Sequence, residues 1–124
     1  MKFLSSFSSL PSLLLPNLPA LLSSPVLHRW KKVISLDPLY IDAYLGLAVV
    51  YFSKMNYVKS EEALLSALQI DPNHLHTLYN LAKLYYHLGM YEKAVQYLTK
   101  VNDIQKDYED TLLLLKNSIK KLSS

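Results

Sequence analysis

The chain has no cysteine and only two glycines among its 124 residues. Without cysteine there is no disulfide framework, no thiolate metal site and no cysteine nucleophile. Two glycines do not suffice for a glycine-rich phosphate loop. The formal net charge of +3 is mild and demands neither nucleic acid nor an anionic membrane. No apolar run reaches the roughly 20 unbroken residues that a spanning helix needs. Nothing resembles a nucleophile elbow or a paired-carboxylate site, so no enzyme is expected. What is present is a 51% hydrophobic composition with ten tyrosines. Scarce glycine and long periodic apolar runs favour an all-helical chain of one domain.

The stretch from Asp71 to Ile104 sets the pattern. Asp71-Pro72-Asn73 breaks a helix, an apolar-periodic run follows from Leu75 to Leu88, and Gly89 interrupts it. A second run extends from Tyr91 to Ile104. The segment from Asp37 to Ile70 repeats this 34 residues earlier without a gap. Tyr40 to Ser53 and Tyr57 to Ile70 are its two helices, and Asn56 is expected to take the left-handed turn that glycine usually supplies. A recurrence at this spacing, each unit a helix pair, indicates a stacked helical array.

Numbering each unit from the start of its first helix, Ile41 or Leu75, brings out the recurring residues. Place four holds Tyr44 and Leu78, and places seven and eight hold Leu47-Ala48 and Leu81-Ala82. Place eleven holds Tyr51 and Tyr85, and place seventeen Tyr57 and Tyr91. Place twenty holds Ser60 and Ala94, twenty-four Leu64 and Leu98, and twenty-seven Ala67 and Val101. In this the chain resembles the tetratricopeptide repeat family over roughly residues 25 to 122. The pattern departs at Met55 for glycine, Ser60 for alanine and Lys106 for proline. The small residues let the paired helices approach closely, while tyrosines and leucines fill the space between units. Gly46, inside a helix, costs about 1 kcal/mol relative to alanine.

The resemblance implies an all-α superhelical solenoid of about six antiparallel helices behind an irregular leader. The expected layout is a leader at 1–24 and an array at 25–124. Within the array lie a half repeat at 25–38, full repeats at 41–74 and 75–108, and a capping helix at 109–122. In the half repeat, Ser23 or Ser24 caps a helix with Pro25 in its first turn. Val26, Trp30 and Val33 fall on places twenty, twenty-four and twenty-seven. The leader, rich in Ser, Leu and Pro, has three open readings: a signal peptide, an organellar transit segment, or a disordered or covering segment. The cytoplasm is the default compartment, with export or an organelle the alternative if the leader is cleaved. Asp107, Glu109 and Asp110 put negative charge at the N-terminus of the last helix and Lys116, Lys120 and Lys121 crowd its far end, which suits the helix dipole. Leu112, Leu115 and Ile119 match places four, seven and eleven, with Lys116 at place eight. This helix is expected to be a polar cap.

Family members bind partners in a concave groove lined by places two, five, six, nine, twelve and thirteen of the first helices. Carried over here, the groove comprises Leu45, Val49 and Phe52, then His76, Tyr79, Asn80, Lys83, Tyr86 and His87. Asp42 and Ser53 extend it, and the last helix adds Asp110, Leu113 and Asn117. The alternative for Leu45, Val49 and Phe52 is simple packing against neighbouring helices. Tyr79, Tyr86 and Phe52 are the candidate anchors. The implied function is a scaffold for a peptide or protein partner, with no cofactor, and a second copy could stack on the first helix. Some relatives clamp a chaperone's C-terminal carboxylate with basic residues and asparagines. The matching places hold Leu45, Val49, Asn80, Asp110 and Leu114, and only Asn80 fits. RNA binding, the rival reading, needs a repeating basic code, yet Lys83 has Val49 as its counterpart. No metal site is expected: His74 and His76 point to different sides of a helix, and His76 and His87 lie about 16 Å apart along it.

Overall fold

A computed structural model describes residues 18–124. Six helices follow one another: α1 (Leu18–Leu36), α2 (Ile41–Ser53), α3 (Tyr57–Ile70), α4 (Leu75–His87), α5 (Tyr91–Ile104) and α6 (Thr111–Leu122). No strand occurs among the described residues. Helices α2 and α3 form one hairpin, α4 and α5 a second, and α6 packs on both helices of the second. The architecture is the all-α repeat solenoid expected from the 34-residue period.

The turns repeat as closely as the helices do. At both Asp-Pro turns the aspartate carboxylate accepts a bond from the backbone N–H two residues on, Leu39 at 3.2 Å and Asn73 at 3.0 Å. Within each hairpin the first helix ends in a Schellman motif. Asn56 N–H reaches the Tyr51 carbonyl, and Met90 N–H the Tyr85 carbonyl, each at 2.8 Å. The left-handed residue of the second motif is Gly89, with φ of 75°. In the first it is Met55, with φ of 61°. The expectation for Asn56 is thereby corrected. Asn56 sits one residue further on with φ of −91° and caps α3, its side-chain oxygen accepting from Lys59 N–H.

Leu78 and Leu81 of α4 and Leu98 and Val101 of α5 are fully buried in the core. Each such side chain contributes roughly 1.5–3 kcal/mol of transfer free energy. Ala82 and Ala94 are also fully buried, as close approach of α4 and α5 requires. Ser60 stands where Ala94 stands one unit later, and its cost is offset. Its hydroxyl donates to the Ala48 carbonyl at 2.9 Å, so the buried oxygen is satisfied.

The two ends differ from expectation. Helix α1 begins at Leu18, not at Pro25, which lies inside it. An interior proline removes one intrahelical bond but does not forbid the helix. Residues 1–17 of the expected leader at 1–24 lie outside the described residues. Gly46 also acquires a reason. A Cβ there would lie 2.2 Å from Cε2 of Trp30, so the missing side chain is the socket for the indole. At the other end, α6 begins two residues after the expected start, because Glu109 and Asp107 take positive φ of 45° and 60°. Nor is α6 a polar cap. Leu112, Ile119 and Leu122 are 49%, 51% and 47% exposed on its outer side.

Candidate functional site

The first helices of the units, α2, α4 and α6, define the inner wall of the curve, with α3 at the back. Between them opens a cleft of about 630 Å³. The repeat places its walls. Val49 and Lys83 are both place nine, and Phe52 and Tyr86 both place twelve. Each place-twelve ring meets the place-seventeen ring of its own hairpin edge to face. Phe52 lies 5.4 Å from Tyr57, and Tyr86 lies 5.5 Å from Tyr91. Because both partners sit beside the Schellman turn, the turn geometry fixes the rings at the mouth of the cleft.

Six of the nine expected groove residues line the cleft: Val49, Phe52, Asn80, Lys83, Tyr86 and His87. Val49 is 64% exposed, while Phe52, 40% exposed, packs its ring against Tyr57 and His87 within the array. Leu45 and Tyr79, both place five, are instead buried in the core. The Tyr79 ring packs against Tyr108 at 5.4 Å, and its hydroxyl accepts the Asp110 N–H at 3.3 Å. Burial pushes the Tyr79 phenol up from its ordinary value, against the lowering effect of that backbone bond. Tyr79 is therefore no anchor. His76 lies outside the cleft with its Nδ1 3.2 Å from the Tyr108 hydroxyl.

Other lining residues were not expected: Leu64 and Ser60 from α3, Tyr91 from α5, and Leu114 and Lys121 from α6. Lys121 was legible, since it holds place thirteen of the last helix, the place of His87. The second helices had no such signal. His74 was missed in a different role: its Nδ1 pairs with the Thr77 hydroxyl at 2.8 Å and caps α4.

The electrostatics of the cleft are one-sided. Among the described residues, its walls carry Lys83, Lys121 and His87 and no carboxylate. Lys83 Nζ stands 5.4 Å above the Tyr79 ring, which holds the ammonium at the wall. His87 is wedged against Phe52 at 5.1 Å and Tyr57 at 5.4 Å, with Nε2 3.3 Å from the Tyr57 hydroxyl. The arrangement offers apolar rings, two ammonium groups and an amide. Such a surface can hold a ligand through apolar contact and charge. No helix among the described residues is long and apolar enough to cross a membrane.

The fold thus defines a helical-repeat array with an open cleft along its first helices. The tetratricopeptide repeat profile matches residues 39–107, and the chain belongs to that family. Its fold is similar to a solved structure described as the first TPR of Spaghetti (RPAP3) bound to HSP90 peptide SRMEEVD. The TM-score is 0.74 at 15% identity, covering 79% of this chain and 78% of that one. A curated relative is the UDP-N-acetylglucosamine–peptide N-acetylglucosaminyltransferase of Giardia intestinalis, 24% identical over 95 residues. The match takes in 77% of this chain and 6% of that protein's length.

Proposed function

We propose that the chain is a protein-interaction module that holds a peptide segment of its partner in the α2–α4–α6 cleft. The observation that carries this reading is the cleft itself: open, walled by Val49, Phe52, Tyr86 and Leu114, and lysine-bearing without a balancing carboxylate among the described residues. A peptide with two or three apolar side chains and one or more carboxylates fits that chemistry. Phe52 and Tyr86 supply rigid aromatic area at low entropic cost, and Lys83 and Lys121 meet the acidic group. Shape gives affinity here and charge gives orientation and on-rate.

The similar solved array supports a peptide as the kind of ligand. Its chaperone-tail peptide is not carried over. Leu45 is buried, and Val49, Asp110 and Leu114 supply no positive charge where a carboxylate clamp needs it. Glycosyl transfer is likewise not proposed, since only a small part of the transferase's length is matched.

The test is a random-peptide display selection on the full chain, followed by fluorescence anisotropy with the enriched peptide. The expected peptide combines apolar residues with Asp or Glu. Val49→Asp, at an exposed position, should weaken binding at least tenfold, and Lys83→Glu should weaken it and reduce or reverse its loss with rising salt. Helical circular dichroism should stay unchanged in both. Peptides that bind both variants as well as the parent would refute the reading.

A further inference from the structure

The cleft stops short of the first turns of its helices. Its lining residues on α2, α4 and α6 all hold place six or later, from Asn80 and Leu114 to His87 and Lys121. On α4 the two concave places before that point are occupied from within the chain. Tyr108, in the α5–α6 connection, sets its ring edge to face against Tyr79 of place five, at 5.4 Å. Its hydroxyl lies 3.2 Å from Nδ1 of His76, at place two. The same Tyr79 ring carries the Lys83 ammonium at 5.4 Å, and Lys83 lines the cleft. Tyr108 therefore stands where the cleft ends.

The connection that delivers Tyr108 is unlike the two before it. Gln105-Lys106 replaces the Asp-Pro of Asp37-Pro38 and Asp71-Pro72. The residues on both sides of Tyr108 take left-handed backbone, Asp107 with φ of 60° and Glu109 with φ of 45°. Neither is glycine, so both positions are strained. Tyr108 itself is only half-buried, and its bond to His76 lies at the exposed surface. A ring held by a strained connection and a surface hydrogen bond is released more readily than a core side chain.

We infer that Tyr108 is an internal occupant of the groove, a strap over His76 and Tyr79 that an aromatic side chain of the ligand displaces. This rests on the peptide reading of the cleft and names what limits the ligand's length there. Places two to six are separated by ~6 Å of helix rise, or about two residues of extended chain. Charge fixes the direction. Asp107, Glu109 and Asp110 border the Tyr108 end, whereas Lys83, His87 and Lys121 line the cleft beyond it. The displacing aromatic residue thus lies at the end of the peptide remote from its carboxylates.

The test uses the full chain and the peptide enriched on it, extended at either end by two residues finishing in Phe. Phenylalanine competes for the ring site but not for His76. The parent should bind the enriched and extended peptides about equally. Tyr108→Ser should bind the enriched peptide as the parent does and one extended peptide about fivefold tighter. The peptide that gains should be the one extended away from its acidic residues. His76→Ala, at an exposed position where the fold is not at stake, should shift the same peptide in the same direction by less. Circular dichroism should show helix retained in both variants. Should Tyr108→Ser fail to fold, His76→Ala decides. A folded variant set with no gain at either end overturns the inference, as do equal gains at both ends or a gain already complete in the parent. Loss of the enriched peptide in folded Tyr108→Ser means that Tyr108 braces the cleft, and overturns it too. In each of these cases the parent still binds and the peptide reading stands. A parent that binds no peptide overturns that reading and this inference together.

Discussion

The two complete units follow one template with different fidelity. The second meets it almost everywhere: glycine in the turn, alanine at both close approaches, and a histidine–threonine cap on α4. The first departs at Gly46, Met55 and Ser60, and each departure is answered locally. Ser60 gains a backbone acceptor, Met55 accepts a left-handed backbone, and Gly46 receives the indole of Trp30. The comparison teaches that the first unit gives up local helix propensity at Gly46 to seat α1, while its other departures are answered within its own hairpin. The second, packed against α3 on one side and α6 on the other, keeps the template's small residues and its turn glycine.

The sharpest way to break the second unit is Ala82→Phe. Ala82 is fully buried where α4 meets α5, and neither helix can retreat without leaving its other neighbours. Overpacking usually costs about 1–3 kcal/mol, and here the loss should exceed that range. Thermal and denaturant melts followed by circular dichroism would show it. An unchanged melt would remove the packing assignment. Gly46→Ala should come next, destabilising by about 1–3 kcal/mol although alanine is the better helix former. Its counterpart Asn80→Ala meets no such neighbour and should change the same melts little.

The turns should move in opposite directions. Met55→Gly relieves a left-handed non-glycine residue whose side chain is 76% exposed, so it should stabilise by about 1 kcal/mol. Gly89→Ala imposes the same strain and should cost about as much. If both variants destabilise, the shared turn geometry is wrong. Caps give a smaller contrast. The Thr77 hydroxyl is paired with His74, whereas the Thr111 hydroxyl, at the same place of α6, is buried without a partner. Thr77→Val should cost about 1 kcal/mol, and Thr111→Val should be neutral or mildly stabilising.

The last contrast is invisible near neutrality. Burial, then the hydrogen bond to Glu61, raise the Tyr85 phenol well above its ordinary value. Burial also raises Tyr79 and Tyr108. The folded chain therefore keeps protons that the unfolded chain releases above about pH 10, where an unperturbed tyrosine titrates. Stability should be at its full value below pH 10 and fall as pH rises toward the folded values. Tyr85→Phe should make that fall shallower, and an identical alkaline slope would exclude Tyr85 as a contributor.

Much of the fold could be read from the chain because the signals were redundant. Spacing, small residues and Asp-Pro breaks all agreed, and α3 and α5 begin and end where they were expected. The ends of the array were harder to read. Pro25 looks like a helix start, and only packing beyond the local sequence decides that a helix runs through it. The groove was legible at places nine, twelve and thirteen, which project into open space. Place five was not. A template assigns it to the concave side, but Leu45 and Tyr79 are large and apolar enough to turn into the gap between helices. The second-helix residues Ser60 and Leu64 reach the cleft only because of how far its walls stand apart, and no spacing in the sequence records that distance.

The seating of Trp30 on Gly46 has an optical consequence. Trp30 is the chain's single tryptophan, beside ten tyrosines. Light that excites indole alone therefore reports on one seam, that between α1 and α2, while tyrosine emission averages over the rest of the array. If α1 detaches before the hairpins melt, the tryptophan spectrum should move to the red while the helical signal is still nearly complete. The residue that compels a glycine in the first unit is thus also a natural label for how independently the first helix comes and goes.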